Sequence, residues 1–517
     1  MEKIAKESGI KKSFFQKSSL KINAISNWIA LGVNIIAGLL LTPLIISHIG
    51  KTGYGVWRLI GSFVGYYGLL NLGVASAIMR YIARYASQGD EKAINETSNT
   101  ALTMFSCTGL LAIVLSFLLA SPLAKFFNVS SEYVNEFKFV IYILGIATGV
   151  SFPGNVFHTI ITAYEKYILA NFIKIITTLV RAGLIVLMLL KGLGIIGVAY
   201  ATLISMIVMA GTNYLACKRF TSVGRFQFKT VKLKVFRELL IYGGSTTVIA
   251  IANILRLNID SIVIGKLVGI AKVAVYGIAA LIIRYVLNLI VAGMSVLTPR
   301  FAALDGARER AKLQDLFMRS LLVSAVLSFG VCMFIFIFGG RFIVFWVGEG
   351  FTDAIPVLWI LTIAYAVALS QNPGIGLMYA LKKHHFYAAV TIIEAIANVI
   401  LSILLAPKYG IIGVALGTAI PMLVVKLFVQ PIYISGISGI TIWNYAKPFI
   451  LPATMAFIMV ILAYNLGIVT EWKGDLTVRS LISFLFISSI YFGVILITSK
   501  QFRSYVKRDN SWNPPRV

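Results

Sequence analysis

Long apolar runs separated by short polar segments recur along the whole chain. Many of these runs contain the ~20 residues that a helix needs to cross the hydrocarbon core of a bilayer. A membrane β-barrel would instead show segments of about ten residues with alternating polarity. The pattern predicts an all-α polytopic membrane protein with about 14 transmembrane helices. The predicted spans are 22–47, 54–78, 99–120, 138–158, 169–190, 195–217, 239–264, 273–297, 320–340, 354–380, 386–406, 410–433, 449–468 and 478–498.

One apolar stretch occurs twice. Residues 194–208 read GIIGVAYATLISMIV and residues 410–424 read GIIGVALGTAIPMLV, with ten of fifteen positions identical. Small residues of this kind could serve only close packing between membrane helices. The pattern favours a duplicated chain, because parallel repeats are a transporter architecture. We therefore expect two pseudo-symmetric lobes of six helices each, followed by two C-terminal helices.

A basic segment separates the two copies. Residues 217–238 read CKRFTSVGRFQFKTVKLKVFRE and carry a single acid. We interpret this segment as the connection between the lobes. The predicted domains are an N-terminal lobe over 1–217, a basic cytoplasmic linker over 218–238, a C-terminal lobe over 239–433, and two extra helices with a basic tail over 434–517.

The placement of charge indicates the orientation in the membrane. Charged residues make up 13% of the chain, against about 25% in soluble proteins. The net charge of +27 could indicate nucleic-acid binding. However, about two thirds of the 46 Lys and Arg residues fall in the segments on the side of the termini. This bias predicts cytoplasmic termini, contact with anionic membrane lipids, and no nucleic-acid partner. The polar start of the chain predicts no cleavable signal peptide.

Several cations lie inside the predicted spans. A charge at the centre of a bilayer costs at least ~2.5–3.5 kcal/mol, so such side chains should face a cavity or a partner. Arg479 is set aside, because a residue at a span end can reach the interface. Lys174 and Lys426 could do the same. A cavity lined by cations would attract an anion such as a phosphate, which Arg can bind in bidentate fashion. The candidate substrate-binding residues are Arg58, Lys174, Arg181, Arg256, Arg284 and Lys426.

Only two acids are comparable, Asp260 and Glu394. Asp260 follows Arg256 at i, i+4, so the two could simply form an ion pair within one helix. Glu394, Asn398 and Ser402 follow i, i+4, i+8 spacing and share a helix face.

The sequence offers little for catalysis. It contains neither a P-loop nor a His/Cys cluster with metal-ligand spacing. Cys107, Cys217 and Cys332 lie far apart and fit apolar packing. We therefore predict no enzymatic activity, no catalytic residues, no metal and no cofactor, except for a coupling ion.

Two stretches near the start of the chain resemble a known family. The segments LTPLIISHIGKTGYGVW (Leu41–Trp57) and LLNLGVASAIMRYIARYASQGD (Leu69–Asp90) are similar to the opening of bacterial polysaccharide biosynthesis proteins. These are the flippases of lipid-linked oligosaccharides, such as the O-antigen flippases. They belong to the multidrug/oligosaccharidyl-lipid/polysaccharide (MOP) exporter superfamily. The duplicated motif and the predicted layout agree with this resemblance over about the whole chain.

The resemblance implies a MATE-like fold, with two lobes around a central cavity that opens to each side in turn. The implied substrate is an undecaprenyl-pyrophosphate-linked oligosaccharide, moved to the outer leaflet of the bacterial cytoplasmic membrane. The resemblance also implies polysaccharide polymerase machinery as a partner of the protein. Some relatives bind a cation in the second lobe. The residues on the corresponding helices are Asp260, Glu394, Asn398 and Thr418, and the candidate ions are Na+ and H+.

Two alternatives remain open. One is a cation-coupled multidrug antiporter of the same fold, which would favour acids in its cavity, whereas cations predominate here. The other is a membrane enzyme of polysaccharide assembly, which the short predicted outer loops disfavour.

Overall fold

The computed structural model describes residues 20–71, 73–221, 223, 227, 230–468, 486–487 and 489–495. Every regular element in these ranges is helical. Ten helices within them are long and apolar enough to cross a membrane. The chain is therefore a polytopic α-helical membrane protein, as the hydrophobic pattern predicts. The basic C-terminal tail and most of the last predicted span lie outside the described residues.

The helices are numbered in chain order. They are α1 Leu20–Gly65, α2 Val74–Gln88, α3 Glu91–Phe126, α4 Ser131–Ala163, α5 Tyr167–Leu190, α6 Gly194–Phe220, α7 Leu233–Leu267, α8 Ile270–Met294, α9 Leu297–Gly306, α10 Arg310–Val347, α11 Ala354–Ser370, α12 Asn372–Ala380, α13 His384–Val424, α14 Gln430–Ser438 and α15 Ile442–Asn465. A 3-10 turn, Tyr66–Asn71, follows α1, and a π turn, Val425–Val429, joins α13 to α14.

Two of the ten candidate spans each combine two predicted ones. α1 contains the first predicted span and part of the second, with a backbone break at Gly50 (φ 69°). α13 contains the eleventh and most of the twelfth, with a break at Gly410 (φ 58°). α7 matches the seventh predicted span but is not among the ten candidates. The total of fourteen spans therefore remains a prediction.

The segment after the second predicted span differs from the expected loop. The second predicted span ends at residue 78, but helix α2 occupies Val74–Gln88 and continues past that end. This helix buries Ile78 and Ile82 and exposes Arg80 and Arg84. Its amphipathic pattern is that of a helix half covered by protein rather than one that spans hydrocarbon.

The pairs Pro153-Gly154 and Pro373-Gly374 lie late in the fourth and tenth predicted spans, but they have different effects. Pro153 lies inside α4, which continues to Ala163. Pro373 instead follows a break at Gln371 that divides the tenth predicted span into α11 and α12.

The chain divides into two compact units, residues 1–258 and 259–517. In the first, α4 packs against both α3 and α6. Its contact with α3 is very close, because a Cβ on Gly109 would lie 2.5 Å from the carbonyl oxygen of Gly149. In the second, Phe301, Phe317 and Tyr445 are among the largest fully buried side chains.

The division between the units falls within α7 rather than at the predicted linker. Described linker residues bond to α3 of the first unit: Asn99 donates to the Thr230 hydroxyl, and Lys232 forms an ion pair with Glu96. The predicted domain boundaries at 217 and 239 remain predictions.

Both copies of the repeated motif start with the same backbone turn. Gly194 has φ 51° and Gly410 has φ 58°, a left-handed conformation that glycine adopts at little cost. The fourth residue of each copy lies against the preceding helix. A Cβ on Gly197 would come within 2.9 Å of Met188, and one on Gly413 within 2.3 Å of the Leu405 carbonyl oxygen. The motif therefore encodes a tight turn followed by a helix packed on the one before it.

Candidate functional site

The break at Gly410 divides α13 into two arms, residues 384–409 and 411–424. Polar side chains from α7, α8 and both arms of α13 meet inside the second unit. Asp260 lies on α7 and Tyr276 on α8, whereas Asn398 and Thr418 lie on opposite arms of α13. The break at Gly410 lets the second arm pack on the first, which brings residues 398 and 418 together. Three of the four residues expected to bind a coupling cation are therefore neighbours.

A chain of hydrogen bonds joins these residues. The Tyr276 hydroxyl donates to Asp260 Oδ2 at 2.5 Å. The Thr418 hydroxyl lies 3.1 Å from the same oxygen and 3.2 Å from Oδ1, and it accepts from Asn398 Nδ2 at 2.9 Å. Ser402 Oγ lies 3.4 Å from Asn398 Oδ1, to which it donates. The chain thus runs from one arm of α13, through the other arm, to the carboxylate on α7.

The site is closed off from its surroundings. Asp260 is 8% exposed, Thr418 4% and Asn398 1%. An ionised carboxylate is costly to bury unless its charge is compensated. The Tyr276 and Thr418 hydroxyls stabilise it by hydrogen bonding but carry no positive charge. A bound cation or a proton would compensate the charge of the carboxylate.

Glu394 is the fourth residue of the expected cation site. It lies one turn before Asn398 on the first arm of α13 and is 3% exposed. The i, i+4 spacing places both side chains on one face of the arm. The hydrogen bonds described above join the other three residues and do not include it.

The ligand types around Asp260 favour a hard cation. The oxygens that could coordinate a cation belong to carboxylate, hydroxyl and amide groups. The Val414 carbonyl oxygen also lies nearby, 3.3 Å from the Thr418 hydroxyl. Such oxygens suit Na+ or a similar hard ion. Within the described part of the chain, no group of three or more His, Cys, Asp or Glu side chains could hold a metal ion. The residues present therefore fit a monovalent cation or a proton better than a transition metal.

A glycine in the second motif copy makes room for this arrangement. A Cβ on Gly417 would lie 2.4 Å from Ser402 Oγ and 2.6 Å from the Ser402 backbone nitrogen. The two arms can approach this closely only because position 417 has no side chain. The corresponding residue in the first copy is Ala201.

The six candidate substrate-binding cations occupy different environments. Arg58 on α1, Arg181 on α5 and Arg256 on α7 are half-buried, and Lys174 on α5 is exposed. In the second unit, Arg284 on α8 is half-buried and Lys426 in the π turn is 4% exposed. Their convergence on one cavity remains a prediction.

Sequence reasoning missed Tyr276 and the surroundings of Lys426. Tyr276 lies in a uniformly apolar stretch of α8, and nothing in its spacing distinguishes it from a packing residue. Lys426 Nζ donates to Gln430 Oε1 at 2.6 Å. The Lys426 side chain is 4% exposed, so its ammonium is surrounded by protein groups. The i, i+4 spacing of Lys426 and Gln430 could have indicated their pairing.

The family model described as "Polysaccharide biosynthesis protein" matches residues 49–356, more than half of the chain. The chain belongs to this family. A relative named "Putative O-antigen transporter" from Shigella flexneri is 24% identical over 397 residues, which cover 74% of this chain and 90% of the relative. The family predicted from the two N-terminal stretches is confirmed.

Solved structures share the fold. The lipid II flippase MurJ in an inward closed conformation matches with a TM-score of 0.72 and 15% identity, over 94% of this chain and 99% of that one. An inward-facing multidrug resistance MATE family transporter of the MOP superfamily matches with a TM-score of 0.64 and 18% identity, over 79% of this chain and 95% of that one. The expected MATE-like helical fold is confirmed.

Proposed function

We propose that this protein is a flippase for undecaprenyl-pyrophosphate-linked oligosaccharide repeat units. It would move them from the inner to the outer leaflet of the bacterial cytoplasmic membrane for assembly of O-antigen, capsule or exopolysaccharide. The observation that carries the proposal is membership of the polysaccharide biosynthesis family over residues 49–356. The relative named as an O-antigen transporter and the fold shared with a lipid II flippase support the same substrate class.

The cations within the membrane helices supply the chemistry that this substrate needs. A pyrophosphate loses its hydration when it enters a membrane protein, and guanidinium groups replace that hydration with bidentate hydrogen bonds. Arg58, Arg181, Arg256 and Arg284 are half-buried on such helices. We assign the pyrophosphate to these arginines, with Lys174 and Lys426 as further candidates.

The membrane potential favours the proposed direction of movement. An inside-negative potential drives an anion outward by ~2.3 kcal/mol per charge per 100 mV. The lobes would alternate between inward- and outward-open states, and the substrate must bind these states differently in order to shift them.

The Asp260 site would couple this cycle to Na+ or H+. Occupation by either ion compensates the buried carboxylate and stabilises the contact between α7 and the two arms of α13. Loss of the ion leaves a buried charge, which favours a state in which the site is hydrated. The proposal is supported by the hydrogen bonds from Tyr276 and Thr418 to one carboxylate.

The proposal places both termini in the cytoplasm, because the basic residues are concentrated on their side. The protein would contact membrane lipids and pass its product to polysaccharide polymerase machinery. As a transporter it would need no catalytic residues.

A second candidate function is cation-coupled multidrug antiport. It is favoured by the fold shared with a MATE family transporter and by the buried acids Asp260 and Glu394. A cationic drug would need acids facing the transport pathway, whereas cations outnumber acids within the predicted spans. A change in sensitivity to cationic compounds, with surface polysaccharide unaltered, would favour this function.

Complementation tests the flippase proposal. Deletion of the gene should remove surface polysaccharide and cause lipid-linked repeat units to accumulate on the inner leaflet, and the wild-type gene should restore export. Arg284→Ala should abolish export while the protein still inserts, because it removes a cation from a membrane helix. Arg319→Ala is a matched control, since Arg319 pairs with Asp315 one turn away and lies outside the predicted spans. Normal polysaccharide with Arg284→Ala would rule out the proposed role of Arg284.

A further inference from the structure

Two helices of the second unit are interrupted next to prolines. α11 and α12 meet at Gln371, two residues before Pro373. α13 and α14 are joined by the π turn Val425–Val429, two residues before Pro431. Proline interrupts a helix because it has no backbone N–H and its ring crowds the preceding turn.

Each interruption leaves a carbonyl without the N–H donor four residues later that an α-helix would supply. In an α-helix the Lys426 carbonyl would accept from the Gln430 N–H, but that N–H donates to the Val425 carbonyl, and Pro431 has none to offer. Gln371 Nε2 supplies the bond instead, at 2.8 Å. Pro373 likewise cannot donate to the Leu369 carbonyl, which accepts instead from the Gln371 N–H and from the Ser324 hydroxyl at 2.9 Å. Neighbouring helices often satisfy such groups within membranes.

The two interruptions are bonded to each other in both directions. Gln371 donates to the Lys426 carbonyl, and Gln430 Nε2 donates to the Gln371 carbonyl at 3.3 Å. The Tyr445 hydroxyl on α15 donates to Gln371 Oε1 at 3.0 Å. With the bond from Lys426 Nζ to Gln430 Oε1, four side chains form one continuous network. All four are at most 4% exposed, so water cannot easily replace a lost partner.

Close packing beyond the interruptions also joins the two helices. A Cβ on Gly374 in α12 would lie 2.4 Å from Ile434 Cδ1 in α14 and 3.3 Å from Gln430 Nε2. The Lys426 ammonium lies 5.8 Å from the centre of the Tyr387 ring on α13, within the range of a cation–π interaction. The segments that follow the two interruptions are therefore held against each other.

We propose that Gln371, Gln430 and Tyr445 are positioning residues that, with Lys426, join the two helix interruptions into one hinge. At this hinge α12 and α14 tilt together relative to α11 and α13. A helix bends most readily where backbone hydrogen bonds are already lost. Because Gln371 and Gln430 bond each interruption to the other, bending one helix strains the bonds to the second and should bend it as well. A role for this tilt in transport rests on the proposed function; the coupling of the two interruptions does not.

Hydrogen–deuterium exchange of the full chain in lipid nanodiscs tests the coupling without any substrate. Gln371→Leu removes both the donor to Lys426 and the acceptor for Tyr445. We expect amide exchange to rise by about tenfold for each lost buried hydrogen bond. The rise should occur together in residues 372–380 and 425–438. A rise in α12 alone, or in neither segment, would overturn the proposal.

Gln314→Leu is the matched control. Gln314 Nε2 donates to the Ser438 carbonyl at 2.8 Å, so this variant also removes a glutamine-to-carbonyl bond from α14, but at the end distant from the π turn. We expect a rise in exchange only near residue 438. An equal response of α12 in this control would mean that any loosening of α14 reaches α12, and the network would lose its assigned role.

Tyr445→Phe covers the case in which Gln371→Leu does not fold. It removes one hydroxyl and keeps the buried ring, so the protein should remain folded. We expect a smaller rise in the same two segments, and unchanged exchange in α12 and α14 would contradict the hinge. In a transport assay with the lipid-linked substrate, Tyr445→Phe should change turnover while the concentration for half-maximal transport stays the same. If exchange responds as expected but no such substrate is transported, the hinge stands and only the proposed function fails.

Discussion

The two copies of the repeated motif have the same turn but different chemistry. Both begin with a left-handed glycine, and in both a threonine lies nine residues into the motif. Thr202 in the first copy donates to the Val198 carbonyl of its own helix at 2.9 Å. Thr418 in the second copy accepts from Asn398 and contacts Asp260. The same turn thus occurs in both copies, whereas Thr418 of the second copy also belongs to the candidate ion site.

The neighbouring helix explains the difference. Counting back from the turn with the same offset, the positions that correspond to Glu394 and Asn398 hold Thr178 and Ala182. The first copy therefore lacks both the acid and the amide of this helix face, and with the amide it lacks the group that donates to Thr418 in the second. Shared turn glycines indicate a shared hairpin, and the residues on the preceding helix determine which polar groups face it.

The largest effect is expected from removal of the acid. Asp260→Asn should abolish the dependence of transport on Na+ or H+, because an amide needs no compensating charge. Coupling between binding sites is typically ~1–3 kcal/mol, or about 5–150-fold in affinity. We expect the variant to lose ion-dependent stimulation of transport near the upper end of this range. Transport measured against ion gradients in proteoliposomes checks this. Thr178→Val, at the position that corresponds to Glu394, should leave the ion dependence intact. Unchanged ion dependence in Asp260→Asn would exclude the site.

The next largest effect is expected at the close approach of the two arms of α13. Gly417→Ala places a methyl group 2.6 Å from the Ser402 backbone nitrogen, which cannot move as a flexible side chain would. Overpacking of this kind costs ~1–3 kcal/mol. The reciprocal change, Ala201→Gly, should cost only ~0.5–1 kcal/mol through backbone entropy. Thermal unfolding in detergent compares the two variants. An equal loss of stability in Gly417→Ala and Ala201→Gly would mean that the two arms of α13 adjust to the added methyl group without strain.

Thr418→Val is expected to reduce stability by no more than Gly417→Ala and to have a specific effect on ion binding. The valine removes the acceptor for Asn398 and one of the donors to Asp260, and an unsatisfied buried group costs ~1–3 kcal/mol. Thr202→Val in the first copy loses only a bond within its own helix and should change little. The measurement is the shift in melting temperature of each variant when Na+ is added. Thr418→Val should be stabilised less than wild type, whereas Thr202→Val should be stabilised as much. Equal stabilisation of wild type and Thr418→Val would contradict a role in ion binding.

The smallest difference between copies is expected at the turns. Gly194→Ala and Gly410→Ala both force a side chain into the left-handed region, at ~1–2 kcal/mol. The two variants should therefore lose similar stability in the same unfolding assay. A much larger loss at Gly410 would show that the second turn also supports the Asp260 site.

Much of the fold is readable from the sequence, because hydrophobic run length and loop charge are direct consequences of a bilayer. The pattern predicts the helical class and most helix positions. It does not predict α2, since an amphipathic helix that ends an apolar run is hard to separate from a polar loop. Similarly, the break at Gln371 lies inside one uninterrupted apolar stretch. Pro153 and Pro373 look alike in sequence, and only their neighbours decide which one breaks a helix.

The candidate site was partly predictable for a related reason. Asp260, Glu394 and Asn398 are polar residues in apolar spans, where the cost of burial makes them conspicuous. Asn398 lies beside Thr418 only because the chain turns at Gly410. Tyr276 reaches the Asp260 carboxylate only because of how α8 packs against α7. Contacts of this kind are tertiary, and helical spacing carries no information about them.

The hairpin formed by the two arms of α13 has a consequence for how the protein is made. The bonds from Ser402 to Asn398 and from Asn398 to Thr418 lie entirely within this hairpin. The hairpin can thus enter the membrane with its polar side chains already paired, which lowers the cost of placing them in hydrocarbon. Asp260 belongs to a helix synthesised much earlier and must wait for α13 to arrive. Until then its carboxylate lacks the Thr418 hydroxyl, so the candidate ion site is complete only after these helices of the second unit have assembled.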